Sequence, residues 1–415
     1  MSEAWVRGRE FFTTRSVAEA LAGFLPGRRA HVETVSREDA LGRVPAAAVV
    51  SGSALPGFAR STVDGYAVRA SDTYGASDSL PMYLDLTGSV RMGVATSCEV
   101  RPGSAVQIPT GAPIPAGADA VVMVEYTQVA MPGTIEVGRP VAVGDGVVRA
   151  DEDVAVGAQI APPGRPLRAQ DLGLLAAAGV TDVEVHARPR VAIVSTGDEV
   201  VPPETTRLEP GQVRDATASA LAAMVTQAGG EPSYRGIVAD DAEELANSLR
   251  AAVHDCDLVV VSAGSSVGAR DETTAAVESI AGSAVYCHGL AIKPGKPTLL
   301  AECDSVPLIG LPGNPLSALV VFRMVGLPVL RRIAGITVAP PPEPATTATL
   351  SRAVASAAGR LDVVQVQVSD DRVATPLFGH SALLSLLTSA DGFIVIPEAN
   401  TGLDAGSAVT VTLYR

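Results

Sequence analysis

From Arg190 to Ile333 the chain alternates short apolar runs with helical stretches, a pattern few architectures accommodate. Val191 to Ser195, Ala216 to Ala228, Ser233 to Val238, Ala242 to Val253 and Leu258 to Ser262 read as βαβαβ. Thr273 to Ile280, Pro307 to Gly310 and a helix from Leu316 to Ile333 extend the series. The apolar runs are continuous, as in strands buried on both faces, so the pattern predicts a doubly wound, mostly parallel sheet. Ligands of such sheets bind at the carboxyl ends of the strands.

The rest of the 415 residues needs further cores. Ser16 to Glu19 has the form of a capping box before a short helix, Ser36 to Leu41 reads as a second helix stopped by Gly42, and Ala169 to Ala178 as a third closed by Gly179. Between them, Pro81 to Val148 breaks into short apolar runs separated by turn residues, which predicts an antiparallel β lobe. The proline-rich stretch Pro340 to Ala345 leads into a final β region. The predicted fold is multidomain α/β plus β: a discontinuous helical N-terminal domain (1–52 and 149–187), an inserted β lobe (53–148), the α/β domain (188–337) and a C-terminal β domain (338–415).

Charge and composition exclude several classes. A formal net charge of −14 opposes binding to nucleic acid or an anionic membrane. Met1 to Phe12 lacks the apolar core of a signal peptide, and Ser317 to Leu330 is short for a membrane span and interrupted by Arg323, so a cytoplasmic protein is expected. Cys98, Cys256, Cys287 and Cys303 have no metal-ligand spacing and read as reduced, buried thiols. An anionic ligand therefore needs a local cationic site. The sequence offers one: of 31 basic residues only Lys293 and Lys296 are lysine, and both fall in one Lys-Pro-Gly-Lys turn. A compact ammonium is a point charge suited to phosphate.

Small, hydroxyl and acidic residues follow each strand: Thr196-Gly197-Asp198-Glu199, Asp240-Asp241, Gly264-Ser265-Ser266 after Ala263, and Pro312-Gly313-Asn314-Pro315 with Ser317 just beyond. Any one such loop is an ordinary strand-to-helix turn. Together, around one crevice with both lysines, they indicate a phosphate or nucleotide site, with Glu199, Asp240 and Asp271 as candidate magnesium ligands. No dinucleotide fingerprint, P-loop, nucleophile elbow or zinc-protease motif is present, and the five histidines form no recognisable triad. In the lobe, Thr62 to Arg69 and Ile108 to Pro113 each set a polar side chain, Asp64 or Thr110, beside a glycine turn; spacing alone leaves these as turns.

Six ordered segments resemble the molybdopterin molybdenumtransferase family, which includes the C-terminal domain of gephyrin: Val63 to Val68, Thr110 to Pro113, Ser195 to Glu199, Ser266 to Gly268, Leu290 to Pro297 and Gly310 to Pro315. The resemblance implies a homodimer and a reaction in which adenylylated molybdopterin and molybdate give molybdenum cofactor and AMP, assisted by Mg²⁺. It implies metal-site roles for Glu199 and Asp271 supported by Asp240, anion binding by Lys293 and Lys296, and catalytic roles for Asp64 and Thr110. The cofactor brings its own dithiolene sulfurs, so scattered cysteines suffice. The chain also departs from the family pattern. Ala59-Arg60 stand where Asp-Asn is usual, Ala263, Ser265 and Ala269 replace more typical residues, and Val148, Thr217 and Ala382 stand where Arg, Asn and His are frequent. A gephyrin-like scaffold binding a protein partner, with reduced or no transferase activity, is the competing expectation, and a transferase using tungstate fits the same residues.

Overall fold

The computed structural model describes residues 14–25, 27–262, 267–339 and 342–414, with the backbone alone for 267–271. Its centre is a six-stranded sheet. Four parallel strands run in the order Glu231–Val238, Arg190–Thr196, Leu258–Ser262, Val306–Leu311, and antiparallel strands Leu299–Cys303 and Ser283–His288 complete the edge. Alternation along a strand divides its side chains between two cores. Val191 and Ile193 pack with Leu221 and Val225 of helix Ala216–Gln227. Ala192 and Val194 face the other way, onto Leu245 and Leu249 of helix Ala242–Asp255. Helix Val267–Glu278 lies beside Ala242–Asp255, whereas Ala216–Gln227 contacts Pro315–Val321 on the opposite face. The expected helix from Leu316 onward runs to Ile333, but its middle, Phe322–Gly326, is a π-helical turn.

Register fixes where the loops emerge. Thr196 pairs with Val238, Ser195 with Ser262, and Ser262 with Leu311, so the parallel strands end level. Gly197–Glu199, Asp240 and Pro312–Pro315 consequently leave the sheet along one edge.

The N-terminal region contains more strand than its helical pattern suggests. Ser16 does cap helix Val17–Gly23: its hydroxyl accepts from the Glu19 N–H at 3.1 Å, and Glu19 Oε2 accepts from the Ser16 N–H at 2.8 Å. This helix buries Val17 and Ala20 in the core that holds Leu290 and Ile193. Ser36 to Leu41 is only a 3₁₀ turn, Glu38–Ala40, because the Ser36 hydroxyl is committed to Asp39. The β-branched run Val32–Ser36 pairs antiparallel with Asp182–His186, and Val49–Val50 with Gln159–Ala161. The chain thus leaves for the lobe and returns beside its point of departure, where helix Ala169–Ala177 ends near Gly179 at φ +76°.

The lobe is a six-stranded sheet with one parallel pairing, Met82–Ser89 against Ser104–Ile108, where the turn pattern suggested antiparallel strands throughout. At its middle, strand Gly65–Val68 requires its glycine, since a Cβ there would lie 1.9 Å from the Val122 carbonyl oxygen. In the C-terminal region, strands Ala345–Leu350, Leu361–Val368, Val373–Pro376, Gly392–Ile396 and Ala408–Leu413 close on themselves through successive pairings. The short strand Ile292–Lys293 adds to this barrel in parallel beside Leu361 and Asp362. No helix among the described residues is long and apolar enough to cross a membrane. The four cysteines are free; Cys256, Cys287 and Cys303 are buried, Cys98 only half so, and burial pushes the Cys287 and Cys303 thiols up to about 11.

Candidate active site at the strand ends

The strand Arg190–Thr196 ends at Gly197, whose φ of +131° is one that L side chains rarely adopt. A Cβ there would also stand 2.7 Å from Glu199 Oε2, so the glycine lets Glu199 fold back over its own turn. Asp198 reaches the neighbouring loop, where its Oδ1 accepts the Asp240 N–H at 3.2 Å. Burial, then the negative charges of Asp198 and Glu199, raise the Asp240 carboxyl above its ordinary value. Asp240 Oδ1 is buried and has no hydrogen-bond partner among the described residues. A carboxylate oxygen without a donor, beside two further acids, is a poor resting arrangement that a hard cation would relieve. Among the described residues no three such side chains make a metal site by themselves.

A cavity of about 420 Å³ opens beside these acids, lined by Thr196, Glu199, Asp215, Ser262, Gly313 and Asn314 among others. Asp215 lies outside every segment expected to form the site. It caps helix Ala216–Gln227 by accepting the Ala218 N–H at 3.0 Å, and its other oxygen accepts the hydroxyls of Ser195 at 2.6 Å and Tyr234 at 3.0 Å. Burial, reinforced by that carboxylate, pushes the Tyr234 phenol up to about 12. Its cap position at the head of a helix was the available signal.

The lysines line a larger cavity of about 810 Å³, together with Pro312, Asn314 and Ser317. Their turn follows the strand Ile292–Lys293 and contains a cis Lys293–Pro294 bond. Gly295, at φ +125°, has no room for a side chain, because a Cβ would meet Val321 Cγ2 at 2.3 Å; the Thr298 hydroxyl closes the turn by donating to the Gly295 carbonyl at 2.7 Å. The nearby Asp362 carboxylate is taken up by Arg360 at 2.8 Å. Asn314 lines both cavities and donates to the Ser381 hydroxyl at 2.9 Å, while Pro315 opens the following helix at its first turn.

Asp64 and Thr110 meet in the lobe. One Asp64 oxygen accepts both the Thr110 N–H at 2.7 Å and its hydroxyl at 2.9 Å, and the carboxyl lies below its usual range through the N–H first and the hydroxyl second. Neither residue is among those lining the two cavities. Gly264, Ser265 and Ser266 lie outside the described residues, as does the side chain of Asp271, whose backbone is in helix Val267–Glu278.

Residues 15–179 match the MoeA N-terminal region (domain I and II), residues 192–332 the family described as "Probable molybdopterin binding domain", and residues 347–414 the MoeA C-terminal region (domain IV). The chain is 34% identical over 389 residues to molybdopterin molybdenumtransferase 2 of Mycobacterium tuberculosis, covering 91% of this chain and 94% of that one. It is 31% identical to the Bacillus subtilis molybdopterin molybdenumtransferase, covering 94% and 91% respectively. A crystal structure of the molybdopterin biosynthesis MoeA protein from Pyrococcus horikoshii superposes with a TM-score of 0.82 at 29% identity, over 97% of this chain and all of that one.

Proposed function

The chain belongs to the molybdopterin molybdenumtransferase family, and from that premise we propose that it inserts molybdenum from molybdate into adenylylated molybdopterin, releasing AMP. The observation that carries this reading is the level ending of four parallel strands, which sets an acid cluster beside one cavity and, through Asn314, the wall of an adjoining cavity lined by both lysines. One side suits a divalent cation, the other an anion. The substrate carries both a phosphoanhydride and a bulky heterocycle, and the combined cavities offer room and charge for each.

In this reading Lys293 and Lys296 bind the anionic pterin side. Glu199, Asp240 and Asp271 hold Mg²⁺, for which the unpartnered Asp240 oxygen is the observed fit. When bound, magnesium supplies positive charge that offsets the charge developing on the cleaved anhydride. Gly197 and the Asp198–Asp240 hydrogen bond keep the two acidic loops in register. Asp215 positions Ser195 and the start of helix Ala216–Gln227, so it shapes the cavity wall rather than meeting the reacting atoms. Asp64 stays ionised and is oriented by Thr110, ready to act on a ligand presented to the lobe. Because neither residue lines the cavity of the acids or that of the lysines, we assign them to the site of a second copy in a homodimer.

The deciding experiment is release of AMP from adenylylated molybdopterin on addition of molybdate, with and without magnesium. The proposal expects molybdate-dependent AMP release that a chelator abolishes. Tight substrate binding with no AMP release under any divalent ion overturns it.

A further inference from the structure

A third cavity, of about 360 Å³, lies away from the acids and lysines, where the helices of the α/β region meet the C-terminal barrel. Helix Ala216–Gln227 starts beside the Glu199 cavity and ends at this one, where Gln227 and Ala228 form part of the wall. Along this helix Thr217 of the one wall and Met224 of the other lie about 10 Å apart. The helical stretch beginning at Pro315 likewise leaves the crevice and brings Leu319, Arg323, Leu327 and Arg331 to the third cavity. A spacing of four drifts around an ordinary α-helix of 3.6 residues per turn. The wider π turn Phe322–Gly326 takes up that drift and keeps both arginines on one face.

The polar groups of this cavity do not balance. Arg323 pairs with Glu343 at 2.8 Å and lies over the rings of Phe393 and Tyr414, yet its Nε is buried with no hydrogen-bond partner among the described residues. Arg331 makes no ion pair among the described residues. The Tyr414 hydroxyl donates to Gln365 at 2.6 Å and, pushed up to about 12 by burial, adds no negative charge at neutral pH. Two guanidiniums thus face one carboxylate in a chain whose net charge is −14. The remaining wall is largely apolar, including Leu319, Leu327 and Leu387.

We propose that this cavity binds a small organic monoanion, whose carboxylate takes the unpaired Arg331 guanidinium while its apolar body lies against Leu319, Leu327 and Leu387. The volume falls within the range of small-molecule sites, and a few convergent polar groups in an apolar cavity are their usual form. An Arg–carboxylate contact supplies direction as well as charge. Nothing in this assignment depends on the transferase reaction, since neither lysine and none of the crevice acids touches the cavity.

Binding is measured by calorimetry with benzoate, phenylacetate, hexanoate and octanoate, each against its primary amide. At least one acid should bind one to one with Kd below about 1 mM, and its amide at least tenfold more weakly. Arg331→Gln removes the cation, and Ala228→Leu fills the cavity without altering charge; loss of at least tenfold in affinity in either supports the site. Lys293→Ala, at the crevice, should bind the acid as the parent does. No saturable binding by any acid, equal binding of acid and amide, affinity unchanged in both cavity variants, or affinity lost in Lys293→Ala overturns the proposal.

Discussion

One oxygen of Asp64 holds both the backbone N–H and the hydroxyl of Thr110, although 46 residues separate them in the chain. The hydroxyl can be removed at nearly constant shape while the N–H stays in place. Thr110→Val should leave the lobe folded and free Asp64 to rotate, lowering kcat roughly tenfold to a hundredfold, the usual cost of a misplaced group. Because both Thr110 groups favour the ionised carboxylate, losing one should also move the acidic limb of the kcat/KM profile to higher pH. An acidic limb that stays in place with unchanged kcat would remove Thr110 from the site.

Asp240 should respond in the opposite sense. Its carboxyl is raised in the folded protein, so its contribution to stability is lost as pH rises from the unfolded value of about 3.9 through the raised one. Above that window the ionised side chain opposes folding, and Asp240→Asn should melt higher than the parent at neutral pH without divalent ions. Below about pH 3.9 the two should coincide. Magnesium should raise the parent's Tm and act less on the variant. Scanning calorimetry across pH checks both; a variant that melts lower at neutral pH contradicts the account.

Glu199→Gln and Asp271→Asn each remove a formal charge at nearly constant shape, so turnover should need more magnesium, with little change in Tm. Titrating magnesium against initial rate is the measurement. The parent's magnesium dependence in both variants would return these acids to the role of turn and helix residues.

Lys293→Ala and Lys296→Ala should each weaken binding of the pterin nucleotide by about 1.5–3 kcal/mol, or roughly tenfold to a hundredfold, as expected for one charge-assisted contact. Calorimetry on both variants decides the point, and affinity equal to the parent's in both defeats it.

The expectation of a composite dimer site makes its own prediction. Asp64→Ala and Asp271→Ala should each be nearly inactive, yet refolding them together in equal amounts should make about half the dimers mixed. Each mixed dimer then has one site carrying both lesions and one carrying neither, so activity should return to roughly a quarter of the parent's. A mixture as inactive as its components, with mixed dimers confirmed by mass spectrometry, puts both residues in the same subunit's site.

The α/β region is legible because strands buried on both faces print as uninterrupted apolar runs; for Leu258–Ser262 the expected and observed ends coincide, while the other three parallel strands run one or two residues further. Glu199 and the lysines were readable because strand-end loops and a lone lysine turn are local signals. The bonds of Asp215 beyond its helix cap are not legible, since its partners Ser195 and Tyr234 lie 20 and 19 residues away and meet it only after the sheet forms. The strand Val32–Ser36 was missed for a related reason: its partner, Asp182–His186, lies on the far side of the whole lobe insertion. The orphaned oxygen of Asp240 has no sequence signature at all, because it is defined by burial and by the donors that fail to arrive.

The pairing of Ile292–Lys293 with Leu361–Asp362 bears on how this architecture can be taken apart. The two-lysine turn belongs by chain position to the α/β region, while the strand that leads into it pairs with the barrel. Cutting at the proline-rich stretch before Ala345 would therefore strip the Lys293 strand of the one ladder pairing it makes among the described residues, leaving the turn held by Leu290 and Ile292 in the α/β core and by the contact of Gly295 with Val321. A graft of the α/β region that keeps the two-lysine turn in its present setting must carry the barrel strand Leu361–Val368 with it.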